Sequence, residues 1–175
     1  YDIHERLVGS EMCIRDSNTF FLEHVLIIYM ENFAKKEKLK MKMKCVVIVD
    51  PELPIGLVAN TASILGCSLG KAHPEINGED TYDKNDQLYP GIVNIPIPIL
   101  KADSNKINEI HRQANQYEEI EVISFVDVAQ QVNNYEEYKA KLKQSTDEDL
   151  NFLGICLYGS EKKVNHFSGS LPMLR

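Results

Sequence analysis

Positions 45–49 read Cys-Val-Val-Ile-Val, an unbroken apolar run in which four of the five residues are β-branched, and it stops at Asp50-Pro51. A strand that is apolar on both faces must be covered on both faces. The run therefore predicts a central strand in a layered sheet rather than one face of a half-solvated sheet. Helical spacing follows at once. Pro54 suits a first helical turn, and Ile55, Ala59, Ala62, Leu65 and Leu69 recur at intervals of three and four, which predicts an amphipathic helix from Ile55 to about Leu69, closed by Gly70.

The same alternation continues along the chain. Residues 73–90 are polar, with Asn77-Gly78 and four consecutive polar positions at 83–86, and read as a long loop. The segment Gly-Ile-Val-Asn-Ile-Pro-Ile-Pro-Ile-Leu at 91–100 puts Val93, Ile95, Ile97 and Ile99 on one face. Pro96 and Pro98 share the other face and remove two backbone donors from the same side, so this strand belongs at a sheet edge or where that side meets something other than a β-partner. Ser104 is positioned to cap a helix running to about Gln116, with Ile107 and Ile110 inward. A third strand spans 120–126, a charged helix 135–143, a fourth strand 152–158 and a short helix 160–167 before Gly169. Strands alternating with helices predict an α/β layer fold.

With 175 residues, 43% of them hydrophobic, the chain is long enough for one globular domain with a core. The domain is expected at 43–175. Residues 1–42 read as a non-native or disordered leader, and 1–17 resemble a translated sequencing-adaptor read. The apolar run at 20–30 is interrupted by Glu23 and His24 and is too short for a membrane span, which needs about 20 residues. No secretory signal is legible in the leader. Acids and bases balance within the first 42 residues, so the whole net charge of -7 falls on the domain. Nucleic-acid binding is therefore not expected, because phosphate contacts need concentrated positive charge. Cys45, Cys67 and Cys156 are isolated within apolar surroundings and form no Cys-x-x-Cys pair. They predict reduced, buried thiols in a cytoplasmic protein.

Most apparent motifs have a plainer explanation. Gly66 to Lys71 lacks the spacing of a phosphate loop and closes a helix instead of opening one. His73, His111 and His166 have no metal-ligand spacing, so no metal is expected. A Ser63, His111 and Asp127 triad lacks a nucleophile elbow. The turn at 50–56, Asp-Pro-Glu-Leu-Pro-Ile-Gly, is different. It joins a buried strand to a helix start, where free backbone donors accept ligands. Asp50 and Glu52 favour an amine, amide or hydroxyl group there over an anion, or else cap the helix. Asp127 is a second carboxylate at a strand end, and parallel strands would bring the two to one end of the sheet.

The segments at 46–66, 91–103, 124–130 and 168–175 together resemble the uncharacterised domain-of-unknown-function family numbered two thousand. That family is similar to the type II peptidyl-tRNA hydrolases, and the resemblance implies a four-stranded mixed sheet with helices on both faces. It also allows a homodimer. The implied site residues are Asp127, which matches the Asp after the third strand, Asn60 near a Gln position and Ser63 near a His position. Gly56 lies in a turn without the hydrolases' lysine, Ala129 stands at a usual Gly, and Gln131 is near a usual Thr. No cofactor is implied. The expected function is binding of a small molecule at Asp50, Glu52, Gly56 and Gln131. The alternative is hydrolysis of an ester- or amide-linked substrate such as peptidyl-tRNA, with Asp127 as base and Asn60 polarising the carbonyl.

Overall fold

The computed structural model describes residues 42–175. The leader expected at 1–42 thus lies outside the described residues, apart from Lys42. Strand β1 (Met43–Val49) leads into helix α1 (Ile55–Ala72). A 3-10 turn at Pro74–Ile76 and a small hairpin of β2 (Thr81–Tyr82) and β3 (Leu88–Tyr89) come next. Then follow β4 (Ile99–Lys101), α2 (Ser104–Ala114), β5 (Ile120–Val126), α3 (Tyr135–Leu142), β6 (Phe152–Ser160) and α4 (Glu161–Ser168). The main sheet has the order β4-β1-β6-β5. Strand β1 is parallel to β4 and antiparallel to β6, which is antiparallel to β5. The sheet is therefore four-stranded and mixed, as expected.

Both faces are covered, for the reason the run at 45–49 requires. Cys45, Val47 and Val49 pack with Val58, Leu65 and Leu69 of α1, while Val46 and Ile48 pack with Ile107 and Ile110 of α2 and Val164 of α4. Each fully buried Val, Leu or Ile of this kind contributes about 1.5–3 kcal/mol. Although α1 has the length and composition of a membrane-crossing helix, it packs one face against β1, β5 and β6, and Val58, Thr61, Leu65 and Leu69 are the residues it buries.

Several local expectations are corrected. Helix α1 passes through Gly70 and ends at His73, whose N–H donates to Leu69 O at 2.8 Å. Its inward stripe is Val58, Thr61, Leu65 and Leu69, and Ile55 is 82% exposed. The stripe turns this way because α1 lies very close to β6: a Cβ at Gly154 would be 2.6 Å from Thr61 Cγ2. Only a small residue on α1 facing a glycine on β6 fits that contact. The strand expected at 91–100 joins the main sheet as a strand only at Ile99–Lys101, because Pro96 and Pro98 cannot donate to a ladder, and Val93 forms an isolated antiparallel bridge with Asn77 instead. It does lie at the sheet edge. Helix α2 is capped by Asp103, whose carboxylate accepts from Lys106 N at 3.0 Å, and Ser104 instead donates to Asn151 Oδ1 at 3.0 Å. The loop expected at 73–90 contains the hairpin. Cys45 and Cys156 are buried 3.4 Å apart, but Cys67 is exposed on the outer side of α1.

Two buried polar groups give testable consequences. Thr61 is fully buried and its Oγ1 has no hydrogen-bond partner among the described residues. Thr61→Val keeps the branched shape and removes the unpaired hydroxyl, so the urea midpoint should rise by the equivalent of about 1 kcal/mol. A lower midpoint would show that the hydroxyl is bonded.

His111 is buried against Phe152, with ring centroids 3.9 Å apart, and its Nδ1 has no partner among the described residues. Burial is the main cause holding its pKa below the usual histidine value; Arg112 acts in the same direction and Asp147 opposes them. The unfolded chain therefore takes up this proton first as pH falls. Stability contributed by neutral His111 is complete above about pH 6.5 and declines as pH drops below it toward the lowered folded value. His111→Leu should flatten the fall in thermal midpoint between about pH 7 and pH 5. Equal slopes in the two proteins would contradict this.

Candidate functional site

Strands β1 and β5 are both antiparallel to β6 and hence run in the same direction. Asp50 and Asp127 accordingly emerge at the same end of the sheet. Strand β6 lies between them, which sets them about 10 Å apart across the sheet. Their carboxylates serve local structure. Asp50 Oδ1 accepts from Glu52 N at 2.9 Å and closes the turn, while Pro54 stands at the N-cap of α1 and no side chain caps the helix. Neither acid caps the helix. Glu52 and Gly56 are exposed.

Asp127 is half-buried within a network. Its Oδ1 accepts from Asn151 N at 3.3 Å, its own N–H donates to Asn151 O at 2.9 Å, and its Oδ2 accepts from Gln131 Nε2 at 2.9 Å. Gln131 in turn accepts from Lys141 Nζ. The bonds tie the end of β5 to the start of β6 and to α3. Asp127 and Gln131 are thus brought together. Ser63 is not part of this group, since its hydroxyl donates to Ala59 O of its own helix at 2.8 Å. Asn60 is exposed on α1, one turn before Ile64 on the same helical stripe.

The concavity lies beside that group, along the outer edge of β5. It has a volume of about 410 Å³, and none of the seven residues singled out above lines it. Ser124 and Phe125 of β5 form its floor, and Ile64 and Ser68 of α1 form one wall. Ala129, Val132, Asn133 and Asn134, with Tyr135 and Tyr138 of α3, form the other. No lining side chain is formally charged. Asn134 is already committed to the start of α3, where its Oδ1 accepts from Glu137 N at 2.9 Å. Ser68 and Ser124 have hydroxyls without a hydrogen-bond partner among the described residues. Burial first, and then Tyr135, raise the Tyr138 pKa above its ordinary value, so the phenol stays neutral and able to donate. Such a site suits a neutral ligand with apolar and hydrogen-bonding parts. Among the described residues no cluster of three or more His, Cys, Asp or Glu is placed to hold a metal ion.

Sequence reasoning missed this groove. Ser124, a lone hydroxyl inside the apolar strand Ile-Glu-Val-Ile-Ser-Phe-Val, was the available signal. The pair Asn133-Asn134 before a tyrosine-bearing helix was another, though it reads first as a helix start.

Residues 43–175 match the family model described as a protein of unknown function, DUF2000. No curated protein matches the chain. Among solved structures, the protein of unknown function Atu0240 from Agrobacterium tumefaciens strain C58 is similar in fold, with a TM-score of 0.69 at 17% identity. The match covers 75% of this chain and 96% of that one.

Proposed function

We propose, for a chain that belongs to the DUF2000 family of proteins of unknown function, that it is a small-ligand-binding domain whose site is the groove along β5. The observation that carries this reading is an uncharged concavity of about 410 Å³ that contains hydroxyls without a partner among the described residues, while the nearby carboxylates are committed to turns and strand ends. A pocket of about 300–1,000 Å³ with a few polar groups is the usual form of a small-molecule site. The acidic balance of the domain argues against a nucleic-acid partner, and its buried thiols suit a reducing, cytoplasmic setting. A homodimer and a structural kinship to type II peptidyl-tRNA hydrolases belong to the same proposal.

A thermal-shift screen of neutral amides and alcohols on the full chain tests it. A ligand at about one hundred times its Kd stabilises by about 2.7 kcal/mol. That shift should disappear in Ile64→Arg, which sets a charge at the mouth of the groove from a position already 36% exposed. It should persist in Asp127→Asn. Shifts that disappear only in Asp127→Asn would contradict the assignment.

A second reading, hydrolysis of an ester- or amide-linked substrate such as peptidyl-tRNA, has one observation in its favour. Asp127 is half-buried and oriented by Gln131 and Asn151 at the end of the sheet. Turnover of peptidyl or aminoacyl esters that vanishes in Asp127→Ala while the fold persists would favour this reading over the first.

A further inference from the structure

The two edges of the main sheet are finished differently. Strand β4 is preceded by Pro96 and Pro98, and its outer side is closed by the C-terminal tail. Lys101 N donates to Pro172 O and Leu174 N to Ile99 O, each at 2.9 Å. Strand β5 pairs with β6 on its inner side, and no strand among the described residues pairs with its outer side. Its sequence has no proline and no lysine, its one charge is Glu121, and the irregularity in its pairing with β6 comes only at Phe125/Val126, so its outer side from Val122 to Ser124 is left open. That edge is the floor of the groove.

The ladder determines which backbone groups it presents. Val47 N–H donates to Pro98 O at 3.0 Å, toward β4, so the alternation of an antiparallel pair turns Val46 and Ile48 toward β6. Through the register of β1 with β6 and of β6 with β5, Glu121, Ile123 and Phe125 bond to β6. Val122 and Ser124 are left with N–H and C=O directed outward. Ile120 N–H also points away from β6 and donates to Tyr117 O at 3.2 Å, and Asp127 N–H points back to Asn151, both as this alternation requires. The outward side is therefore a row of alternating donors and acceptors at strand spacing. An extended backbone complements such a row.

From this we infer that the groove takes an extended, uncharged polypeptide segment as an added strand on β5. The inference rests on the proposed binding role of the same groove and names its ligand class. Successive side chains of the added strand would point alternately to the α1 wall at Ile64 and Ser68 and to the wall at Val132 and Tyr138. Both walls are uncharged, which selects apolar and small neutral residues. A partner segment fits better than a second copy of this chain, because β5 of a copy would bring its own two walls against these.

The test selects short random displayed peptides on the immobilised full chain, then measures end-capped synthetic versions by fluorescence anisotropy. Methylating the alternate peptide amides that face β5 should weaken binding at least about tenfold, the usual scale of one unsatisfied buried hydrogen bond. Methylating the intervening amides should not, and Ile64→Arg should abolish binding. Effects that ignore this alternation would overturn strand addition. So would a self-associated chain that Ile64→Arg converts to monomer, since the occupant would then be a second copy. Small neutral compounds bound in the groove without any selected peptide would overturn this inference alone. A groove that takes neither would overturn it together with the binding function.

Discussion

Gly154→Val is expected to shift the urea unfolding midpoint further than any surface change, by well over the roughly 1–3 kcal/mol typical of an overpacked core site. Position 154 lies on β6, directly beneath α1. A Cβ there would meet Thr61 Cγ2 at 2.6 Å, Ile48 O at 3.0 Å and Val49 Cγ1 at 3.2 Å. One of these is a backbone atom of the central strand and cannot move aside, so α1 would have to lift from the sheet. Since Val58, Leu65 and Leu69 are buried by that contact, lifting the helix exposes apolar area on top of the steric cost. Gly154→Ala should show the same direction at the lower end of the range. Midpoints unchanged in both variants would mean that α1 does not approach β6 this closely.

Ile155→Ala should cost about 2–5 kcal/mol, the range for truncating a fully buried Ile. The side chain points to the opposite face from position 154, into the cluster with Val46, Ile48, Ile107 and Val164, and is wholly inaccessible. Strand β6 is flanked by β1 and β5, so backbone pairing on both sides hinders collapse into the cavity. Ile92→Ala is the matched control: Ile92 is 83% exposed, and its loss should stay within about 0.5 kcal/mol. Equal effects at the two positions would contradict the assignment of β6 as the core strand.

How much of this was legible in the sequence depended on range. Apolar runs bounded by turn residues announce themselves locally, and the strand predicted at 120–126 has the same ends as β5. The two prolines before Leu100 were a sound edge signal, because a missing donor has the same consequence in any sheet. The face of α1 was misplaced by one position, since Thr61 is inward only because Gly154 lies opposite, a pairing 93 residues away. Asp103 displaced Ser104 as the cap because Asn151 offers the serine another partner.

The groove was out of reach for the same reason. Its walls come from α1, β5 and the segment leading into α3, and its floor exists only because β5 lies at the edge in the order β4-β1-β6-β5. Strand order is a tertiary property that no local period states. By contrast, Asp50 and Asp127 were conspicuous as carboxylates at strand ends. Once placed, both are occupied by neighbouring backbone amides.

Amide chemical-shift mapping decides whether the groove along β5 is the ligand site. The isotope-labelled full chain is titrated with a panel of neutral fragments bearing amide or hydroxyl groups. The perturbed signals should converge on Ile64, Ser68, Ser124, Phe125, Val132 and Tyr138. Perturbations converging instead on the turn at 50–56, with the groove unaffected, would contradict it.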